Sequence, residues 1–452
     1  MSAYDKTRLN RAVPDMGGYT LRKTDVNEAA ERAGRLGRRV MDARLGDPTA
    51  FGLAPFPRYV ALVEEAMWEP RSWSYQDARG LAELRDTLGR GNPETRKGDY
   101  RIPPERVFVG PGISGVSRFL FSAMIDRGND EVAIPEWSYI IYFAEAALSE
   151  AKVVNVPLTE SGEVDVQRLK DAIGKRTKAV FITTVGNPLG IAMKQDTFAA
   201  IIRAVNEKER ELNQPVYLVA DTIYEGFRTG SEPIDPIGMS ARLGRLGPTI
   251  ELHSISKLIG APGARLGWMR VYHEGADFKD EVGAFIDALS MVFQPSLGSN
   301  STAFQLALQR LYSELAEQAR GDDFDRFRRN RRGEVISRTR TLLEALAGIS
   351  GLAFPQAYMR DGRVCPELVN SPYVLFGVDK GIRPRGGLSQ ARQMADFLID
   401  RGALPVLLTT PGDNFLANGL RGQGQEFVRA VALFERCDAA VEAIGAFAGV
   451  SL

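Results

Sequence analysis

The chain has 452 residues, 44% of them hydrophobic and 25% charged, the composition of a globular protein with room for two or three domains. Lysine plus arginine balance aspartate plus glutamate at 57 each, so no global field draws the chain to nucleic acid or to an acidic membrane. Two cysteines, Cys365 and Cys437, and two histidines, His253 and His273, leave little room for a structural zinc site or a disulfide framework and point to a reducing, cytoplasmic setting. The opening "MSAYDKTRLNRAVPDMGG" has no apolar core after its charges, and no run reaches the roughly 18 apolar residues of a membrane span, so neither export nor insertion is expected.

In chain order, helix-period residues in "VNEAAERAGRLGRRVMDA" mark an N-terminal segment, taken as 1–60, that packs on the C-terminal part. From there short apolar runs alternate with longer amphipathic stretches. "RVFVG" (106–110), "EVAIP" (131–135), "AVFITTV" (179–185) and "VYLVAD" (216–221) read as buried parallel strands, and "SGVSRFLFSAMID" (114–126) and "TFAAIIRAVNEKEREL" (197–212) as the helices between them. The runs "TIELHSIS" and "ARLGWMRVY" are two further strands, which puts Lys257 in their connection. Each strand ends at chemically useful residues: Gly110-Pro111-Gly112, Glu136-Trp137, Gly186-Asn187-Pro188, Asp221. In an open α/β sheet these ends surround a single crevice. After about residue 320 the beat changes, and the region 321–452 reads as a smaller α+β domain behind a large domain over 61–320.

The ordered motifs carry a resemblance. "LGDPTAF" (45–51), "SYQDARGLAELRD" (74–86), "GPGISGV" (110–116), "GNPLG" (186–190), "DTIYE" (221–225), "SISK" with Arg265 eight residues beyond its lysine, and "FVRAVALF" (427–434) together resemble the class I/II aminotransferases of fold type I, over nearly the full length. The resemblance implies an aspartate-aminotransferase-like fold: a mostly parallel sheet of the seven-stranded type sandwiched by helices, plus a small C-terminal domain. It implies pyridoxal 5'-phosphate as cofactor, a homodimer with shared active sites, and an α-amino acid and a 2-oxo acid as small-molecule partners.

Residue chemistry agrees with each role so implied. Lys257 is the amine that joins the cofactor aldehyde and, once freed, the base for the substrate Cα proton. Asp221, after an apolar strand, is the carboxylate that keeps the ring nitrogen protonated, although an aspartate there also suits a helix N-cap. Tyr224 and the Asn187 amide face the ring oxygen, and Trp137 stacks on the ring. For the phosphate dianion, Gly112, Ile113 and Ser114 offer a helix N-terminus, Ser254, Ser256 and Arg265 add hydroxyls and a guanidinium, and Tyr75 comes from the second subunit, with Ser299 at the same boundary. Arg429, an arginine inside an apolar strand, takes the substrate carboxylate with Asn187 and the Gly46 amide. No metal ligand set is expected.

Three features depart from the family pattern. Leu189 stands where threonine is usual, an extra Gly-Pro turn precedes the phosphate loop, and the segments 355–370 and 409–425 are long. No second substrate-side arginine for a dicarboxylate is evident. Transamination is the first expectation; elimination, γ-replacement, decarboxylation or cyclisation starts from the same chemistry, and a non-catalytic ligand-sensing module on this fold is the remote alternative, opposed by the neutral charge and the lack of a helix-turn-helix pattern.

Overall fold

The computed structural model describes residues 25–94, 100–317, 321–378, 390–401, 406–411, 427–434 and 437–450. Helix Asp25–Arg35 opens the described chain; it is shorter than the periodicity suggests, because Gly37 adopts φ +64° and turns the backbone into strand β1 (Val40–Asp42).

The large sheet is built from β2 (Val107–Gly110), β3 (Glu131–Pro135), β4 (Lys152–Val156), β5 (Thr177–Thr183), β6 (Tyr217–Asp221), β7 (Thr249–Ser254) and β8 (Gly267–Tyr272). Their order is β2-β8-β7-β6-β5-β3-β4. Pairs from β7 to β4 are parallel, and β8 runs antiparallel to both β7 and β2. The β-branched and aromatic residues of β2, β6, β7 and β8 are buried on both faces, which is why these strands read as unbroken apolar runs rather than alternating ones. Helices Gly112–Met124 and Gln195–Leu212 cover opposite faces, packing into separate core clusters around Phe121 and Phe181 on one side and Ile201 and Leu218 on the other.

Beyond the long helix Gly321–Ala347, β9 (Leu352–Ala353) joins a four-stranded sheet, while β10 (Met359–Arg360) and β11 (Arg363–Val364) make a separate hairpin. The remaining strands are β12 (Tyr373–Val378), β13 (Val406–Leu408), β14 (Thr410–Pro411) and β15 (Val428–Val431). The small sheet runs β14-β15-β12-β9, and β13 pairs in parallel with β1. That pairing, with the Arg32–Asp396 ion pair at 3.3 Å, ties the N-terminal segment to helix Gln390–Arg401. Residues 412–425 of the long loop expected before Arg429 lie outside the described residues. No described helix is long and apolar enough to cross a membrane, and among the described residues no cluster of three His, Cys, Asp or Glu side chains is placed to hold a metal.

Candidate active site

The carboxyl ends of β2, β6 and β7 open onto one cavity of about 320 Å³. Eleven of the residues singled out above line it: Gly46, Ile113, Ser114, Asn187, Asp221, Tyr224, Ser254, Ser256, Lys257, Arg265 and Arg429. None of 355–370 does.

Asp221 ends β6 and is 3% exposed. It does not cap a helix: its Oδ1 accepts from the Ile223 amide at 3.0 Å in a local turn, and its Oδ2 accepts from the Tyr142 hydroxyl at 2.6 Å. Burial pushes this carboxyl above its ordinary range, against the pull of Tyr142, the Ile223 amide, His253 and Lys257. A buried carboxylate held by two neutral donors is suited to a cationic N–H.

Lys257 follows β7 in the turn that the sequence enriches in serine and glycine. Its Nζ donates to the Gly46 carbonyl at 2.6 Å and lies 5.9 Å from the centre of the Tyr224 ring. Gly46 therefore offers Lys257 its carbonyl. Next to it, the Ser254 and Ser256 hydroxyls are 2.7 Å apart, and the Ser256 amide donates to Ser254 Oγ at 3.0 Å. Arg265, in the left-handed region at φ +50°, reaches across to the Pro111 carbonyl at 3.0 Å, just before the first turn of helix Gly112–Met124. Gly112 does not line the cavity; it has φ +73°, and a Cβ there would lie 2.6 Å from Arg265 Nη2, so only glycine lets the guanidinium approach this helix start. Amides at a helix N-terminus, three hydroxyls and a guanidinium form a cradle for a dianion.

On the opposite wall stands Arg429, 2% exposed on β15. Its Nη1 donates to Asn187 Oδ1 at 3.1 Å, its Nη2 to the Arg44 carbonyl, and its guanidinium lies 4.5 Å over the Tyr373 ring. Burial lowers its pKa.

One assignment needs correcting. Trp137 does not face the cavity. With φ +56° it turns away after β3, packs edge-on against Phe427 at 5.9 Å and lines a separate cleft with Leu158, Leu189 and Ile191. Tyr139, two residues on, lines the cavity instead, beside Ser114. The left-handed residue breaks the simple count from the strand end and leaves Tyr139, rather than Trp137, on the cavity wall. Tyr75 is 92% exposed and outside the cavity, near Ser299, whose Oγ accepts from the Gln76 amide at 3.1 Å. Three residues were missed altogether: Tyr139, Tyr142 behind Asp221, and Tyr373, whose hydroxyl is 2.6 Å from that of Tyr224. The aromatic spacing of "SYIIY" was the available signal for the first two.

Comparison with known proteins accords with this geometry. Residues 54–358 match the family model "Aminotransferase class I and II". A probable aspartate aminotransferase of Methanocaldococcus jannaschii is 25% identical over 48% of this chain, and the match spans 54% of that protein. A histidinol-phosphate aminotransferase of Roseiflexus castenholzii is 27% identical over 69% of this chain and 68% of its own length. The solved structure of an alanine aminotransferase from Pyrococcus furiosus superposes with a TM-score of 0.78 at 22% identity, covering 98% of this chain and all of that one, which shows the fold. With the family model matching most of its length, this chain belongs to the class I and II aminotransferases.

Proposed function

We propose that this protein is a pyridoxal-phosphate-dependent aminotransferase that passes the amino group of an α-amino acid to a 2-oxo acid. The observation that carries the reading is that Lys257 lines one cavity with a buried carboxylate, Asp221, and a buried guanidinium, Arg429. The residues present fit the cofactor: a dianion cradle at Ser114, Ser254, Ser256 and Arg265, an aromatic wall at Tyr139, and an acceptor at Asp221.

When bound, pyridoxal phosphate supplies an aldehyde that captures an amine and a protonated ring that draws electrons from the substrate Cα. The chain supplies the rest. Asp221 holds a proton on the ring nitrogen, and Tyr224 and Asn187 are the donors available to the ring oxygen. Arg429 binds the substrate carboxylate as a planar fork and so fixes which bond at Cα faces Lys257. Lys257, held by the Gly46 carbonyl, is the amine placed to take the Cα proton and return it to the neighbouring carbon.

The reading includes a homodimer. Trp68 (84% exposed), Trp73 (79%), Tyr75 (92%) and Met291 (72%) are large apolar side chains left open on segments that meet where Gln76 touches Ser299. Such a patch favours a protein partner, and a second copy would bring Tyr75 to the phosphate cradle.

The test is a single half-reaction. The cofactor-loaded protein, given a panel of amino acids without an acceptor, should release one equivalent of 2-oxo acid per site and recover when a 2-oxo acid is added. Release of carbon dioxide or ammonia in place of the 2-oxo acid would overturn the transamination reading.

A further inference from the structure

Tyr373 opens β12 and is 2% exposed. In the β12–β15 ladder Tyr373 pairs with Val431 and Leu375 with Arg429, so Tyr373 and Arg429 are diagonal neighbours on the same face of the sheet. That register lays the guanidinium over the phenol ring at 4.5 Å. The phenol oxygen reaches Tyr224 at 2.6 Å and sits so close to Gly46, whose carbonyl holds Lys257, that any side chain there would collide with it. One phenol thus stands beside the three groups assigned to the cofactor amine, the ring oxygen and the substrate carboxylate.

We propose that Tyr373 is a positioning residue that accepts the Tyr224 hydroxyl and places a negative pole beside Lys257, holding the link between that lysine and the cofactor in its protonated form. The inference rests on the reading of Lys257 as the cofactor lysine. One of the two phenol protons lies in the hydrogen bond between oxygens 2.6 Å apart, and the charges around them decide which oxygen accepts. Burial alone would raise both. The cationic Lys257 and Arg429 beside Tyr373 outweigh its burial and bring it below the ordinary tyrosine value, whereas Tyr224, with Tyr373 as its neighbour, stays well above. The Arg429 guanidinium 4.5 Å over the Tyr373 ring favours negative charge on that phenol, so Tyr224 donates and Tyr373 accepts. The acidic side chains lining the same cavity are Asp221 and Asp47, and a third phenol, Tyr139, lines it with them. Because the Tyr224 O–H is shared between Tyr373 and the ring oxygen, it gives less to the ring oxygen than an undivided donor would, and both effects favour a protonated link at neutral pH.

The experiment is a pH titration of the absorbance of the substrate-free holoenzyme, wild type against Tyr373→Phe, with turnover not involved. The midpoint of the spectral change is expected to fall by about one pH unit in the variant, the scale on which a nearby opposite charge shifts a titration. A midpoint unchanged from wild type overturns the proposal. A wild type that shows no lysine-linked chromophore would instead refute the cofactor reading itself, which keeps the two failures apart. Should Tyr373→Phe not bind cofactor, the cofactor-free wild-type chain gives a second reading by its tyrosinate ultraviolet difference spectrum. One phenol per chain should ionise below the ordinary value of about 10, and a chain in which none does contradicts the proposal.

Discussion

The Tyr142 hydroxyl, in the first turn of helix Ile140–Leu148, donates to Asp221 Oδ2 at 2.6 Å at the end of β6, in a region where both side chains are buried. That bond stabilises the ionised carboxyl against the burial that raises it. Tyr142→Phe removes the donor without adding bulk, so Asp221 would reach its ionised form only at higher pH. The acidic limb of the kcat profile is expected to move to higher pH by about one unit, the size of a hydrogen bond to a charged group. A profile superimposable on that of wild type would show that the phenol only packs.

Asp221→Asn separates a charge role from a packing role. Loss of the pairing with the ring nitrogen, at about 3 to 5 kcal/mol in the transition state, should lower the rate by roughly 10² to 10⁴ fold, since each 1.36 kcal/mol is tenfold. Stability of the cofactor-free chain should change the other way. A carboxyl raised by folding favours the folded state below its unfolded value of about 4 and costs stability as pH rises through the folded value. The variant carries no such cost. Its melting temperature without cofactor should exceed that of wild type at neutral pH, with the gap closing in acid; a variant less stable than wild type at neutral pH would contradict the burial argument.

Tyr139 and Trp137 give opposite expectations. Tyr139→Ala opens the cavity wall and should raise the cofactor Kd by about tenfold or more, given that an aromatic contact is worth about 0.5 to 1.5 kcal/mol beyond its area. Trp137→Ala loses contact with Phe427 and the cleft around Leu189, so it should lower the melting temperature and leave cofactor affinity nearly intact. Equilibrium dialysis of the two variants distinguishes them, and the reverse pattern would restore Trp137 as the stacking residue.

This pair also shows how far the sequence could be read. Asp221, Ser254 and Lys257 were legible because each sits at or just past a strand end, where the backbone fixes the direction of the side chain. Trp137 and Tyr139 were not, because a single left-handed residue decides which of them turns inward, and nothing local to "PEWSYI" marks it. Tyr142 lies on a helix and Tyr373 on a strand whose apolar spacing reads as core, and both are indeed core residues. Their hydroxyls acquire partners only where distant elements meet, Tyr142 with Asp221 and Tyr373 with Tyr224, 79 and 149 residues away along the chain. The sheet was the easier part, since β5 is rich in β-branched residues and β6 is a short apolar run, so their burial is read directly.

Arg429 should govern substrate binding rather than proton transfer. Its planar fork already spans Asn187 and the Arg44 carbonyl, a geometry that a lysine ammonium does not reproduce. Arg429→Lys is expected to raise KM for the amino acid by about 10 to 100 fold, in line with the roughly 1.5 to 3 kcal/mol of a charge-assisted hydrogen bond, with a smaller change in kcat. Equal falls in kcat and kcat/KM would place the arginine's contribution in the transition state instead.

The shared-site arrangement is tested by mixing two inactive proteins. Tyr75 is exposed and outside the cavity of its own chain, whereas Lys257 lies inside. If Tyr75 serves the partner's phosphate cradle, a Tyr75→Ala chain keeps a usable Lys257, and a Lys257→Ala chain keeps a usable Tyr75. In a hybrid dimer one site then combines both defects and the other combines neither. Random reassortment of equal amounts makes half the dimers hybrids with one intact site each, so activity should recover to about a quarter of wild type in an isologous dimer. Each homodimer alone should show only residual turnover, lowest for Lys257→Ala. Were Tyr75 to act within its own subunit, every hybrid would contain one Tyr75 defect and one Lys257 defect in separate sites, and mixing would yield no more than the average of the two parents.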